Sequence, residues 1–269
     1  MPKLLALDFD GVISDSAPES YVVALRTWCE FVPETCLTDR SDVFVSSHTP
    51  TARQVLSESL YGDFLERMPL GNRAEDYAVV LASLDRGVDV PDQSAYDAFK
   101  TTLDANWLNH FHQRFYAVRR ALCDADVDGW HALMKPYPKL CKILRAHASE
   151  VELAIATAKD ARSVRALLHA YGIEDLFSDE RLLDKETGVN KVAHLEHLQA
   201  RYGFDYADMV FVDDKLNHLD QVSRLGVECV LAGWGYNGPR EHVLARERGH
   251  RVLELDGFEA QLFGTAGRT

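Results

Sequence analysis

The sequence predicts an α/β fold: a mostly parallel, doubly wound sheet interrupted by an inserted, all-helical segment. Three observations carry that expectation. Short apolar runs (Leu4–Leu7, Val151–Ala156, Met209–Val212 and Glu228–Ala232) have the length and content of buried strands. The stretches between the last three show helical periodicity, and such alternation implies parallel crossover units. Between the first run and the others lie more than a hundred residues in which only helical periodicity is visible.

The first run ends in Asp8-Phe9-Asp10-Gly11-Val12, a strand that delivers two carboxylates and then turns. In a strand, Asp8 and Asp10 face the same side. Like charges so close need a cation, a proton or a basic side chain between them, although a solvated acidic turn would also carry such residues. From about Ser16 to Lys135 the apolar residues recur at three- and four-residue steps. Tyr21, Val22, Leu25, Trp28 and Cys29 form one stripe, and Tyr77, Val80, Leu81 and Leu84 a second. A third, from Tyr96 to Leu122, is long enough for one extended helix or two in line. Pro50, Pro69 and Pro91 fall between the stripes, where helices break.

Pro136-Tyr137-Pro138 marks a junction. Beyond it the pattern predicts helix Lys139–His147, strand Val151–Ala156, and helix Asp160–Tyr171 stopped by Gly172. A turn with an acidic stretch follows, then a helix from Asn190 to Gly203. Strand Met209–Val212, helix Asn217–Leu225 stopped by Gly226, strand Glu228–Ala232 and an edge strand Arg251–Leu255 complete the series. Gly264–Thr269 is expected to fray. The domain expectation is a core of residues 1–16 and 136–269 and an inserted helical cap of residues 17–135. Its attachment beside Asp8 and Asp10 suits an element that closes over chemistry.

Of the 269 residues, 46% are hydrophobic, enough for a sizeable core, and the formal charge is -13. That charge argues against nucleic acid or an acidic membrane as partner. It leaves room for a small phosphorylated molecule, because one local cation can hold one phosphate. No apolar run reaches the length of a membrane span, and the first is too short for a signal peptide. Cys29, Cys36, Cys123, Cys141 and Cys229 are odd in number and form no C-x-x-C pair. They read as free thiols in a reducing cytoplasm.

The candidate chemistry sits at the ends of strands, where open α/β sheets bind ligands. The strand ending at Ala156 runs into Thr157-Ala158-Lys159. A hydroxyl and successive N–H groups ahead of a helix make an anion cradle. Lys191 opens the next predicted helix, where the helix dipole disfavours a cation, so another group must want it there; Lys185 competes for the same role. The strand ending at Val212 delivers Asp213 and Asp214. Four carboxylates at two strand ends call for a hard divalent cation, and oxygen donors with room for water favour Mg²⁺.

Taken in order, Asp8-x-Asp10-Gly11-Val12, Thr157, Lys191 and Asp213-Asp214 resemble the motifs of the haloacid dehalogenase superfamily. The run Leu231-Ala232-Gly233-Trp234-Gly235-Tyr236 is similar to a loop of its phosphoglycolate-phosphatase-like branch, in which a helical cap follows the first motif. The resemblance covers the whole chain. It implies a Rossmann-like core, a cap, and Mg²⁺-dependent hydrolysis of a small phosphorylated metabolite.

It further implies Asp8 as the nucleophile that forms an aspartyl-phosphate, and Asp10 as general acid and then base. Thr157 and the Ala158 N–H would hold the phosphoryl oxygens, and Lys191 would offset the charge of nucleophile and phosphate. Mg²⁺ would be held by Asp8, the Asp10 main-chain carbonyl and Asp214, with Asp213 a ligand or close by. To act as an acid, Asp10 must keep a proton, which a neighbouring carboxylate favours.

Two positions depart from the pattern: His218 stands where the superfamily often has an acid, and Ala158 replaces a commoner Asn or Ser. The presence of Asp10 argues against carbon–halogen cleavage, which needs no proton for a leaving oxygen. A Schiff-base chemistry is disfavoured because Lys100 and Lys135 are the lysines of the insertion and neither lies just after the first motif. A phosphosugar mutase or phosphotransferase, and a non-catalytic Mg²⁺-binding scaffold, are the alternatives. Arg53, Arg73, Arg114, Arg119 and Arg120 are candidates to read a second anionic group, with Arg73, in the turn Gly71-Asn72-Arg73, foremost. The pairs His110/His112 and His194/His197 receive no role.

Overall fold

A computed structural model describes residues 2–41, 49–71, 73–188 and 190–264. Asn72, Val189 and the terminal stretch 265–269 lie outside the described residues. The chain divides into two compact units, one of Met1–Asp15 with Lys135–Thr269 and one of Ser16–Met134.

Among the described residues there are eight strands: β1 (Leu4–Leu7), β2 (Ser14–Asp15), β3 (Lys135–Pro136), β4 (Glu152–Ala156), β5 (Leu182–Leu183), β6 (Met209–Asp213), β7 (Glu228–Ala232) and β8 (Arg251–Leu253). The unit from Ser16 to Met134 holds α1 (Ala17–Phe31), α2 (Ala52–Leu56), α3 (Ser59–Arg67), α4 (Ala74–Asp85), α5 (Gln93–Lys100), α6 (Ala105–Ala125) and α7 (Val127–Ala132). The other unit holds α8 (Pro138–His147), α9 (Ala161–Ala170), α10 (Lys191–Tyr202), α11 (Leu216–Val222), α12 (Pro239–Glu247) and α13 (Phe258–Phe263).

The helical unit follows from its stripes. Val22, Leu25 and Trp28 of α1 are buried, as are Phe111, Phe115 and Leu122 of α6. The third stripe is two helices, not one. It breaks after Lys100, and Asp104 restarts it by accepting the Trp107 N–H at 2.8 Å, which satisfies an otherwise orphan donor. Buried Glu19 of α1 binds Arg119 of α6 through two 2.7 Å hydrogen bonds and also accepts from the Trp130 indole.

In the other unit six strands form one sheet in the order β5-β4-β1-β6-β7-β8, every pair parallel. From β1 the chain steps outward to β4 and β5, then returns to the other side of β1 for β6, β7 and β8. Such a reversal opens a crevice at the carboxyl ends of the strands beside it. All four residues of β1 are fully buried. Leu4 and Ala6 enter an apolar cluster with Ala154, Ala156, Phe211, Leu195 and Leu219, and the alternation turns Leu5 and Leu7 to the opposite face. A sheet buried on both faces explains why its strands read as continuous apolar runs rather than alternating ones.

The structure adds elements that periodicity could not show. β5 is two residues long, and it lies where the sequence reading had a turn with an acidic stretch. The helices α12 and α13 follow β7 and β8, and β8 stops at Leu253, short of the expected Leu255. The two crossings into the helical segment, β2 and β3, pair antiparallel as a short ribbon. None of the five cysteines is joined in a disulfide. No helix among the described residues is long and apolar enough to cross a membrane.

Phe211 is fully buried within the same apolar cluster as Leu4 and Ala6. Phe211→Ala is expected to destabilise the protein by about 3–5 kcal/mol, read as a lower urea midpoint.

Candidate active site

The register of the sheet builds the site. Leu7 is level with Ile155 of β4 and with Val212 of β6. One step on, Asp8, Ala156 and Asp213 lie side by side on three neighbouring strands, and the Asp8 N–H donates to the Val212 carbonyl at 2.9 Å. The Lys191 ammonium reaches all three. It lies 2.7 Å from Asp8 and 3.4 Å from Asp213, and it donates to the Ala156 carbonyl at 2.6 Å. Lys191 is the first residue of α10 and is buried, with Asn190 capping the helix by accepting the Ala193 N–H. Lys185, the competing candidate, is exposed and faces Glu186 at 4.0 Å.

Each carboxylate has its own environment. Burial lifts the Asp8 carboxyl to about 6 even though the adjacent Lys191 charge pulls it down. Burial also lifts Asp214 well above the usual carboxylate range; Lys215 opposes this, while the charges of Asp213 and Asp8 add to it. Asp213 is fully buried too, yet His218 and Lys191 overcome the burial and hold it far below the usual range. The His218 Nδ1 lies 3.1 and 3.0 Å from its two oxygens, and the Lys215 N–H donates to it at 2.9 Å. In Lys191 the same contest runs the other way: burial opposes the charge, but Asp8 and Asp213 outweigh it and raise its pKa.

Asp10 follows β1 by three residues and opens a turn closed at Gly11, whose φ of +81° suits glycine. A Cβ on Gly11 would also stand 2.5 Å from an Asp214 oxygen, so the two strand ends meet there. The Asp10 carboxylate contacts the Lys159 ammonium at 3.1 and 3.3 Å.

Thr157 is buried at the end of β4; its N–H donates to the Leu183 carbonyl, and its hydroxyl accepts the Lys159 N–H at 3.1 Å. Ala158 is exposed at the tip of that loop. Asp184, just past β5, was not singled out from the sequence. It accepts the Ala161, Glu186 and Thr187 N–H groups and so ties the start of α9 to the loop that precedes Lys191. These hydrogen bonds hold its carboxyl below the usual range against burial.

The loop Gly233–Asn237 forms a further wall. The Tyr236 N–H donates to Asp214 at 3.0 Å, and the Asn237 amide donates to the Asp214 carbonyl at 3.2 Å. A Cβ on Gly235 would lie 2.5 Å from both the Asp214 Cβ and the Gly11 carbonyl, so only glycine fits. The Trp234 indole donates to the Val12 carbonyl at 3.0 Å.

The arginine candidates belong to the helical unit. Arg114 and Arg119 are committed to Glu30 and Glu19 through paired hydrogen bonds. Arg53, Arg73 and Arg120 are exposed, and the Arg73 N–H bonds Asp76 at the start of α4. Of the histidines left without a role, His112 bonds Glu75 and buried His194 bonds the Asp184 carbonyl.

The donor set fits a divalent cation. Asp8, Asp213 and His218 each offer an atom within 4.8 Å of the others, and Asp8 and Asp214 are lifted because the charges at hand do not compensate their burial. A model of the haloacid dehalogenase-like hydrolases matches residues 2–220. The chain belongs to that family.

A haloacid dehalogenase-like protein from Streptococcus pneumoniae is similar over 97% of this chain and 98% of its own, with 13% identity and a TM-score of 0.61. A predicted phosphoglycolate phosphatase from Haemophilus somnus is similar over 95% and 96%, with 20% identity and a TM-score of 0.59. At such identities these structures support the fold of this hydrolase. In sequence, human magnesium-dependent phosphatase 1 is 38% identical over 48 residues, which span 18% of this chain and 27% of the human protein.

A pH dependence follows from the buried acids. Asp8 and Asp214 have folded pKa values above their unfolded ones, so above pH 4 the folded state binds more protons than the unfolded state. Stability of the hydrolase in EDTA should therefore fall as pH rises from about 4 through about 6, the Asp8 value. The depressed Asp213 contributes stability that is lost only below its ordinary pKa, so it does not cancel this trend. Asp8→Asn should flatten the slope in urea titrations at several pH values.

Proposed function

We propose that this hydrolase is a phosphatase that removes the phosphoryl group from a small phosphorylated metabolite. The Lys191 ammonium, set level with Asp8 at a strand end, carries the reading. A carboxylate and a phosphate dianion repel by several kcal/mol at contact in a partly dry site. A nucleophilic Asp8 therefore needs a fixed cation where the phosphate arrives, and Lys191 is held there by three partners.

Asp8 attacks phosphorus to give an aspartyl-phosphate. Asp10, the more exposed of the two acids of the first motif, protonates the departing oxygen and then takes a proton from the attacking water. The Thr157 hydroxyl spends a lone pair on the Lys159 N–H, which leaves its own hydrogen to donate to a phosphoryl oxygen; the Ala158 N–H stands beside it. Asp8, the Asp10 carbonyl and Asp214 would hold Mg²⁺, with Asp213 beside them and tethered to His218. When bound, the ion supplies a Lewis acid that offsets the charge of nucleophile and phosphate. The helical insertion would read the rest of the substrate, with Arg73 the candidate for a second anionic group.

Purified protein should release inorganic phosphate from p-nitrophenyl phosphate and from members of a panel of phosphorylated metabolites. EDTA should abolish the release and Mg²⁺ restore it. Asp8→Asn should lower kcat by at least about 10³-fold, because the route through the covalent intermediate is lost. Full activity in that variant, or transfer of label to an isomeric phosphate without free phosphate, would overturn the hydrolytic reading.

A further inference from the structure

Lys159 has no part in the mechanism above, yet it is the second buried ammonium of the site. Its side chain is 4% exposed, and that of Asp10, which it contacts, is 35% exposed. Its Nζ lies 3.1 Å from one Asp10 oxygen and 3.3 Å from the other, so it faces both sides of the carboxyl group. Its own backbone is fixed, because its N–H donates to the Thr157 hydroxyl. Taking an ammonium out of water costs several kcal/mol unless the partner geometry repays it. The paired contact with Asp10 is what the structure offers in return.

We propose that Lys159 is the positioning residue for Asp10. It anchors the carboxyl from behind so that the exposed edge of Asp10 faces the leaving oxygen. This rests on the phosphatase reading and adds to it a residue for proton delivery. In the first half-reaction the bond from Asp8 to phosphorus forms, the ester P–O bond breaks, and the Asp10 proton goes to the departing oxygen. In the second, water bonds to phosphorus, the Asp8–phosphorus bond breaks, and the water proton returns to Asp10. Lys159 can donate to the carboxylate or to the carbonyl oxygen of the protonated acid, so it can hold Asp10 in both half-reactions.

A lysine that bound the phosphoryl group directly would serve all esters alike. A lysine that aims the acid matters in proportion to the proton the leaving group needs. p-Nitrophenolate leaves without much help, whereas an aliphatic alkoxide does not. The experiment compares wild type, Lys159→Met and Lys159→Arg on p-nitrophenyl phosphate and on the aliphatic phosphomonoester that wild type hydrolyses fastest, with the Ki of inorganic phosphate as a third reading.

Lys159→Met should lower kcat on the aliphatic ester by about 100-fold, the scale of a misplaced general acid, and on the aryl ester by less than about 5-fold. Lys159→Arg should recover most of the loss, and the phosphate Ki should stay unchanged. Equal losses on both esters, or a raised phosphate Ki, would overturn the positioning role while leaving the phosphatase reading intact. If Lys159→Met does not fold, Lys159→Gln supplies the same comparison. Wild type that releases phosphate from neither ester, or Asp10→Asn with undiminished aliphatic activity, would instead overturn the parent reading.

Discussion

Three buried carboxylates at the ends of two adjacent parallel strands impose the central constraint on this molecule. Water cannot solvate Asp8, Asp213 and Asp214 well, and each alone would resist ionisation. The chain meets the difficulty with a lysine at the first position of α10, where a helix dipole would disfavour it, and with an imidazole on α11. Lys191 and His218 together make Asp213 a settled anion, which in turn fixes Lys191 beside Asp8. Asp214 receives main-chain and amide donors from the loop after β7, but among the described residues no cation of comparable closeness. The deficit is local, and it is the part of the site that a metal ion suits.

This arrangement depends on parallel pairing. In a parallel sheet neighbouring strands end on the same side, so register alone sets Asp8, Ala156 and Asp213 level. A single lysine can then touch three strands at once. The glycines at positions 11 and 235 complete the packing, because a side chain on either would push the Asp214 carboxylate away from the turn after β1. Close approach, rather than loop flexibility, is what these glycines supply.

Apolar runs and glycine stops made the long strands and the helices of the sheet unit legible, because burial on both faces leaves a continuous hydrophobic signature. The two-residue β5 has no period to read, and a turn-forming Asp184 beside it looks like any acid in a loop. The grouping of Asp8, Lys191 and Asp213 was suggested by motif order, but the level at which they meet depends on register, which no local pattern encodes. Lys159 was hidden for a different reason. A lysine in a loop reads as a solvated cation, and nothing in Thr157-Ala158-Lys159 says that the side chain folds inward toward a residue 149 positions earlier. The split of the third helical stripe at Asp104 was available as a cap residue after Thr101-Thr102, but apolar periodicity runs through it unchanged.

The two acids of the first motif illustrate how one short segment yields unlike chemical groups. Sequence separation of two residues suggested that they would perturb each other. The chain turns after Phe9, and the two acids stand in different surroundings: Asp8 is at sheet level, buried and against Lys191, while Asp10 contacts Lys159. One carboxyl is therefore held by burial and one by a cation from the neighbouring strand end. The proposed division between a nucleophilic Asp8 and a proton-carrying Asp10 draws on that difference in surroundings. The turn at Gly11 supplies it by altering backbone direction, without any change in residue type.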